Sequence, residues 1–490
     1  MNLTTFSTHT RRGWLALVLV LGMLATVPVG RSQTRTSPSR PAAAASNSAA
    51  VKQSVASPTD QLVDRTLANG LEVIVLADHS VPLVTVELAV KNGSYTEPPE
   101  LNGLSHLYEH MFFRSNNGPE LTAEEKEEGD GGSFSNGQTR EEIVIYYTTT
   151  ASPYLKSVMR GMRDAMLYPK FDQTEFERER EVVIGELDRH ESNPNYFLDQ
   201  EMTRRLWWKY PSRKNPGGNR QTVSTATTDM MKLIQGRYYV PNNTALIVTG
   251  DVDPEQVFTI SQKLFGEWKR SEVDPFVKFP LVEHPPLAKN ESGLVIQPQV
   301  ENVLFQIGWH GPSIGKDNAS TYAADVFSYI VGQPNSRFQR ALIDTRLALG
   351  VGVNYYTQRN VGPITVQAQA TPDKARSAIK AVYSEIAHFN DPDYFTDEEL
   401  ENAKTILAAN DLFDREKLSD YGQTIAFWWA STGLDYFRGY QNNLKAVTRA
   451  DISRYISTYI QGKPHVALIL ISESDQKKLQ FKDTDLLEKR

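Results

Sequence analysis

The sequence predicts an α+β protein of two homologous halves. Three observations predict it. Short apolar strands alternate with amphipathic helices from about residue 62 to the end. An order of strand, helix, Phe-containing turn and acidic helix occurs twice, and superposing Phe171 on Phe395 gives an offset of 224 residues. So long a period means duplicated domains rather than a solenoid. Between the copies, residues 269–293 carry four prolines, Pro275, Pro280, Pro285 and Pro286, as an interdomain linker does.

The elements follow in order. Arg11 and Arg12 precede an apolar run from Trp14 to about Val29, the layout of an export signal over 1–30 with a twin-arginine character. The run is shorter than the ~20 apolar residues of a spanning helix, so the expectation is export to the periplasm or beyond, with no stable membrane span unless the signal stays uncleaved. Residues 31–60, rich in Ser, Ala, Pro and Thr, read as a disordered linker. Order begins at 61, and the first domain is expected over 61–268. Asn69–Gly70 marks a turn before the apolar strand "LEVIVLA", and 83–90 alternates with Val84, Val86 and Leu88 on one side. "GLSHLYEHMFF" (103–113) is helical, and "EEIVIYYTTT" (141–150) is a strand. "SPYLKSVMRGMRDAMLYP" is a helix with a Ser-Pro start and a Pro stop. Residues 174–192 form a charged helix with Thr174 as its candidate cap, and "NNTALIVTGD" is a buried strand. The second domain, 294–482, repeats the pattern and ends in the strand "HVALILIS".

Composition narrows the chemistry. Among 490 residues, 40% are hydrophobic and 23% charged, as in ordinary globular proteins. The net charge of −7 argues against a nucleic-acid partner. With no cysteine, thiolate nucleophiles, disulfides and Cys-ligated metals are excluded, so any metal is held by His, Asp or Glu.

One stretch carries such a set. His106 and His110 are four apart, about 40° around a helix, and Glu109 borders the same face. Two imidazoles beside a carboxylate suit a catalytic zinc, which takes three protein ligands and leaves a fourth position for water. A neighbouring carboxylate can take that water's proton and deliver it to a leaving amine. The third ligand must come from elsewhere, and the helix 174–192 offers Glu179 and Glu186, two turns apart on one face. Glu186 is assigned to the metal and Glu179 to a supporting position behind a ligand. An acidic helix is often only a solvated face, and His190, four beyond Glu186, is a rival ligand. At the offset of 224, Glu179 falls on Ala403 and Glu186 on Asn410, so the second copy lacks the cluster.

His106-x-x-Glu109-His110, then 75 residues, then Glu186 within "EREVVIGE", resembles the pitrilysin/insulinase/mitochondrial-processing-peptidase family, the inverzincins. The resemblance spans about 62–480 and includes the duplication. It implies two α+β halves, each a mostly antiparallel sheet with helices packed on one face, in a clamshell around a chamber, and one Zn2+ per chain held by His106, His110 and Glu186. It implies a zinc metalloendopeptidase acting on extended peptides or small unfolded proteins, with Glu109 as general base and Glu179 supporting the site. "SNGQT" (135–139) is similar to the family's substrate-binding edge strand, where Asn136 and Gly137 would meet an extended peptide. Active single-chain members carry an Arg and a Tyr seven apart in the second half. Here Arg346 is present, but the Tyr position is Val353, with Tyr355 and Tyr356 two and three places on. The departure implies a homologous partner subunit that supplies the pair, a heterodimer first and a homodimer second. The alternative reading is a non-catalytic peptide-binding or assembly subunit.

Overall fold

Two sheets organise the computed structural model, which describes residues 62–114, 116–119 and 132–487. The export signal and linker expected over 1–60 lie outside the described residues. Among the described residues, no helix is long and apolar enough to cross a membrane.

The first sheet contains β1 (Leu62–Thr66), β2 (Glu72–Ala77), β3 (Leu83–Val90), β4 (Phe134–Thr139), β5 (Val144–Ala151) and β6 (Thr244–Gly250), in the order β1-β2-β6-β3-β5-β4. The second contains β7 (Glu291–Ile296), β8 (Val303–His310), β9 (Gly350–Tyr355), β10 (Pro363–Ala370) and β11 (Val466–Ile471), in the order β7-β11-β8-β10-β9. Each sheet has one parallel pair, β2 with β6 and β7 with β11, and its other pairs are antiparallel. Set β1 aside and the two orders match strand for strand. The duplication therefore extends from the helices to the sheet topology.

Local sequence accounts for the elements. Gly70 takes φ +94 in the turn between β1 and β2, a conformation that costs glycine little, and Asn69 Oδ1 accepts from Leu71 N at 3.2 Å. Six helices of the first half matter here: α1 (Leu104–Phe112), α2 (Leu155–Leu167), α3 (Gln173–Glu191), α4 (Pro194–Leu206), α5 (Thr228–Tyr238) and α6 (Pro254–Phe265). The cap of α3 is Asp172 rather than Thr174. The Asp172 carboxylate accepts from the amides of Thr174 and Glu175, and so places Thr174 in the first turn. A carboxylate there satisfies two orphan donors and complements the helix dipole, which a threonine hydroxyl does less well. The second half contributes α7 (Asn318–Val331), α8 (Ala375–His388), α9 (Asp397–Asp414), α10 (Leu418–Ser431), α11 (Leu434–Ala446) and α12 (Arg449–Tyr459).

Each sheet carries its own half's helices on one face. In the first half, Val84, Val86, Leu88 and Val90 of β3 join α1, α2, α5 and α6 in one core. The opposite faces are covered too, by exchange. Helix α4 crosses onto β7, β11 and β8, where Leu198, Met202 and Leu206 meet Val295, Val466 and Leu468. Its counterpart in the duplication, α10, crosses onto β6, β3 and β5, and Thr249 Oγ1 donates to Leu418 O at 3.1 Å. Glycines make the approach possible. A Cβ at Gly308 would lie 2.7 Å from Met202 Sδ, and one at Gly422 would lie 3.1 Å from Glu87 Oε2.

Glu87 sits on β3 under α10. It is fully buried, and neither carboxylate oxygen has a hydrogen-bond partner among the described residues. Burial raises its pKa well above the ordinary carboxyl value. The folded chain thus holds a proton there that the unfolded chain releases at about pH 4.3, the free glutamate value. Stability tied to that proton is present below the unfolded pKa and is lost as pH rises from there to the folded pKa. Glu87→Gln removes the ionisation. The variant is expected to gain thermal stability over wild type increasingly as pH rises from about 5 to about 8. A difference between their melting temperatures that does not change with pH would contradict this.

Candidate metal centre

Helix α1 is amphipathic in the way a site needs. Leu104, Leu107, Tyr108, Met111 and Phe112 are buried, leaving His106, Glu109 and His110 on the other face. The two imidazoles meet edge to face, their centroids 4.9 Å apart. The helix start has no side-chain cap of its own. Its N-cap, Gly103, lies at φ +99, and a Cβ there would come within 2.8 Å of Gly218 Cα. A carboxylate from outside does the capping: Glu97, buried, accepts from Gly103 N at 2.8 Å and Ser105 N at 2.5 Å. Burial pushes Glu97 up to about 7, while those hydrogen bonds pull it down. Asn102 ties the same corner to the carbonyls of Ser212 and Asn215 at 2.9 and 3.0 Å.

Helix α3 brings the third group. Glu186 Oε2 lies 3.5 Å from His106 Nε2 and 3.5 Å from His110 Nε2. One ligand atom from each of the three lies within 4.8 Å of the others. Bond lengths of about 2.0–2.2 Å in a tetrahedron place ligand atoms about 3.4 Å apart, so the set fits a zinc ion. The protonation of His106 agrees with this. Burial, then the neighbouring His110, holds His106 down to about 4, which leaves a neutral imidazole. Burial also pulls His110 down, but its hydrogen bond to Glu186 and the charge of Glu109 outweigh it and leave His110 above its ordinary value. The His110 contact in turn lowers Glu186.

Around the triad, Glu179 Oε2 lies 3.4 Å from His110 Nδ1, while its Oε1 takes Arg114 Nη2 at 2.8 Å. Such a contact orients the imidazole so that Nε2 faces the metal position. Glu109 is fixed by β4. Thr139 Oγ1 donates to its Oε2 at 3.0 Å, and a Cβ at Gly137 would stand 2.6 Å from its Oε1. Glycine at 137 is therefore what lets the strand and the carboxylate touch. Burial raises Glu109, opposed by His110 and Thr139. The triad, Glu109, Arg114 and Ser135–Thr139 of β4, with Phe113, line a cleft of roughly 550 Å³ along the edge of β4 that no described strand pairs. On that edge, Gly137 N donates to Asn136 Oδ1 at 2.9 Å.

Other sequence candidates lie elsewhere. The His190 ring rests on Tyr196, centroids 6.1 Å apart, and is not in the convergent set. Arg346 is exposed, at φ +58, its carbonyl taking Lys374 Nζ at 2.8 Å. Val353 is buried in β9 opposite Val366. Neither nearby tyrosine lines the cleft: Tyr355 donates to Pro312 O at 2.9 Å and Tyr356 to Glu141 Oε2 at 3.2 Å. Among the described residues, none from the second half lines the cleft. Residues that sequence reasoning missed are Thr139, Arg114 and Glu97. Thr139 closes the "SNGQT" stretch, and Arg114 is four beyond His110. Nothing in the loop around Glu97 marked it as a cap.

Duplicated α+β halves, only one of them bearing an H-x-x-E-H helix, define the inverzincin class of peptidases. Comparison with known proteins agrees. The model for Insulinase (Peptidase family M16) matches residues 72–214, and that for the Peptidase M16 inactive domain matches 226–407. The chain belongs to the pitrilysin/insulinase peptidase family. An uncharacterized zinc protease of Rickettsia felis is 27% identical over 372 residues, covering 75% of this chain and 87% of the relative. Zinc protease PqqE of Helicobacter pylori is 22% identical, over 83% and 91%. Two solved structures share the fold. A protease from Helicobacter pylori has a TM-score of 0.75 at 22% identity, covering 84% of this chain and 99% of that one. The first half of the periplasmic protease PqqL from Escherichia coli has a TM-score of 0.69 at 16% identity, covering 87% and 95%.

The external cap gives a prediction. Glu97→Ala strands the Gly103 and Ser105 amides, at about 1–3 kcal/mol for each buried unpaired donor. Its melting temperature is expected to fall by several degrees in calorimetry. An unchanged transition would show that Glu97 does not hold the start of α1.

Proposed function

We propose that the protein is a zinc-dependent endopeptidase that cleaves extended peptides or small unfolded proteins. One observation carries the reading: the Nε2 atoms of His106 and His110 both lie 3.5 Å from Glu186 Oε2, with Glu109 beside them. When bound there, zinc supplies a Lewis acid for the scissile carbonyl and makes water easier to deprotonate. Glu109 takes the proton of the attacking water and returns it to the departing amine. Thr139 holds one Glu109 oxygen, so a single carboxylate orientation serves both transfers. Glu179 and Arg114 keep His110 in the tautomer that presents Nε2. An extended peptide lies along β4, its backbone pairing with the edge at Asn136 and Gly137, a mode that tolerates varied side chains.

The second half offers this cleft no oxyanion donor among the described residues. A homologous chain brings the Arg and Tyr, and the assembly works outside the cytoplasm after export. A second reading, a peptide-capturing subunit without activity, draws on the same lack of second-half side chains in the cleft.

Purified protein is expected to carry one zinc per chain and to lose peptide hydrolysis on chelation. Glu109→Gln should lower kcat by about 10²-fold or more with zinc retained, because it removes the proton carrier alone. Substantial hydrolysis by that variant, free of contaminating protease, would sink the mechanism, and wild type without stoichiometric zinc would favour the capture reading. Size-exclusion with mass measurement is expected to show the active species at about twice the mass of the chain, with a homologous chain or a second copy present. Full activity in the monomer would remove the need for a partner.

A further inference from the structure

Among the described residues, none of the second half lines the cleft, yet that half grips the strand that does. β4 ends at Thr139 and turns into β5, Arg140 N donating to Ile143 O at 2.9 Å. Within that turn, Glu142 Oε2 accepts from Arg359 N at 2.8 Å, and its Oε1 accepts from Asn360 N at 2.9 Å and Asn360 Nδ2 at 3.3 Å. The loop that makes these bonds, 356–362, joins β9 to β10 and is the duplicate of the turn it holds.

The gripping loop is itself fixed on several sides. Lys214, buried, donates to the carbonyls of Asn360 and Val361 at 2.6 and 3.0 Å and to Gln358 Oε1. Ser313 Oγ accepts from Val361 N at 2.9 Å. Val361 is held at φ +60, where a β-branched side chain is strained. Such a conformation persists only where the surroundings over-determine it. On its own half's side, the turn is steadied by Tyr95 N, which donates to Glu141 O at 2.8 Å.

An edge strand has a paired neighbour on one side only. The placement of β4 at the cleft depends on β5 and on this turn, and β4 in turn touches Glu109 through Gly137 and Thr139. A displacement of about 1 Å at a reacting group costs on the order of 10²-fold in rate. We propose that Glu142 is a positioning residue: by binding the 359–360 amides of the second half it fixes β4 against Glu109, so the half without a metal cluster aligns the half that has one. Its catalytic consequence rests on the peptidase reading above, but its structural test does not.

The test is hydrogen exchange on the full chain with Glu142→Gln. The amides of 135–139 are expected to exchange about 10-fold faster or more, with α1 and β8 unchanged. Unaltered exchange at 135–139, or a uniform rise across the first sheet, would overturn the proposal. Should Glu142→Gln fail to fold, Asn360→Ala removes only the side-chain bond and is expected to give about 3-fold at the same amides, and no change there overturns it equally. With peptide substrate and full zinc content, Glu142→Gln should lower kcat about 10-fold or more, but by a clearly smaller factor when Thr139→Val is already present, since both loosen the hold of β4 on Glu109. Independent, multiplying losses would mean that Glu142 does not act through β4. A wild type inactive on peptides would defeat the peptidase reading and leave the exchange result to judge this one.

Discussion

Three ligand atoms must be held about 3.4 Å apart for a tetrahedral site to exist, and α1 supplies only two of them. Much of what surrounds the cleft serves to hold α1 against α3. Glu97 and the Gly103–Gly218 contact fix where α1 begins. At its far end, Arg114 reaches Glu179 at 2.8 Å and so ties the chain leaving α1 back to α3. On α3 itself, Arg189 donates to Glu186 Oε1 at 3.2 Å, which leaves Oε2 as the oxygen turned toward the two imidazoles.

The two halves show how much of this is fold and how much is chemistry. They share sheet order, parallel pair and helix sequence. Where α3 places Glu179 and Glu186, α9 places Ala403, fully buried, and Asn410, whose amide donates to Tyr329 OH at 2.9 Å. The second site has become a neutral polar contact, which needs no metal to satisfy it.

The pair His106 and His110 was legible in the sequence because helical spacing alone puts them on one face, and the 19-residue helix that carries Glu186 is easily seen from its periodicity, but Glu186 was set above Glu179 and His190 on that helix by the family resemblance. The duplication was legible for the same reason. What could not be read were contacts set by tertiary placement or by fine backbone geometry. The Glu97 cap and the Thr139 bond to Glu109 are of the first kind, and the choice of Asp172 over Thr174 is of the second. The exchange of α4 and α10 was also invisible, since a helix's periodicity says that it buries a face but not which sheet receives it.

That exchange has a consequence for how the chain is made. The outer face of the first sheet, with Ala89, Ile145 and Ile247, is covered by a helix spanning Leu418–Ser431. During synthesis the first half emerges complete in strands long before its cover does. It therefore waits, with an apolar sheet face open to solvent and to other chains, until the chain through Ser431 has left the ribosome.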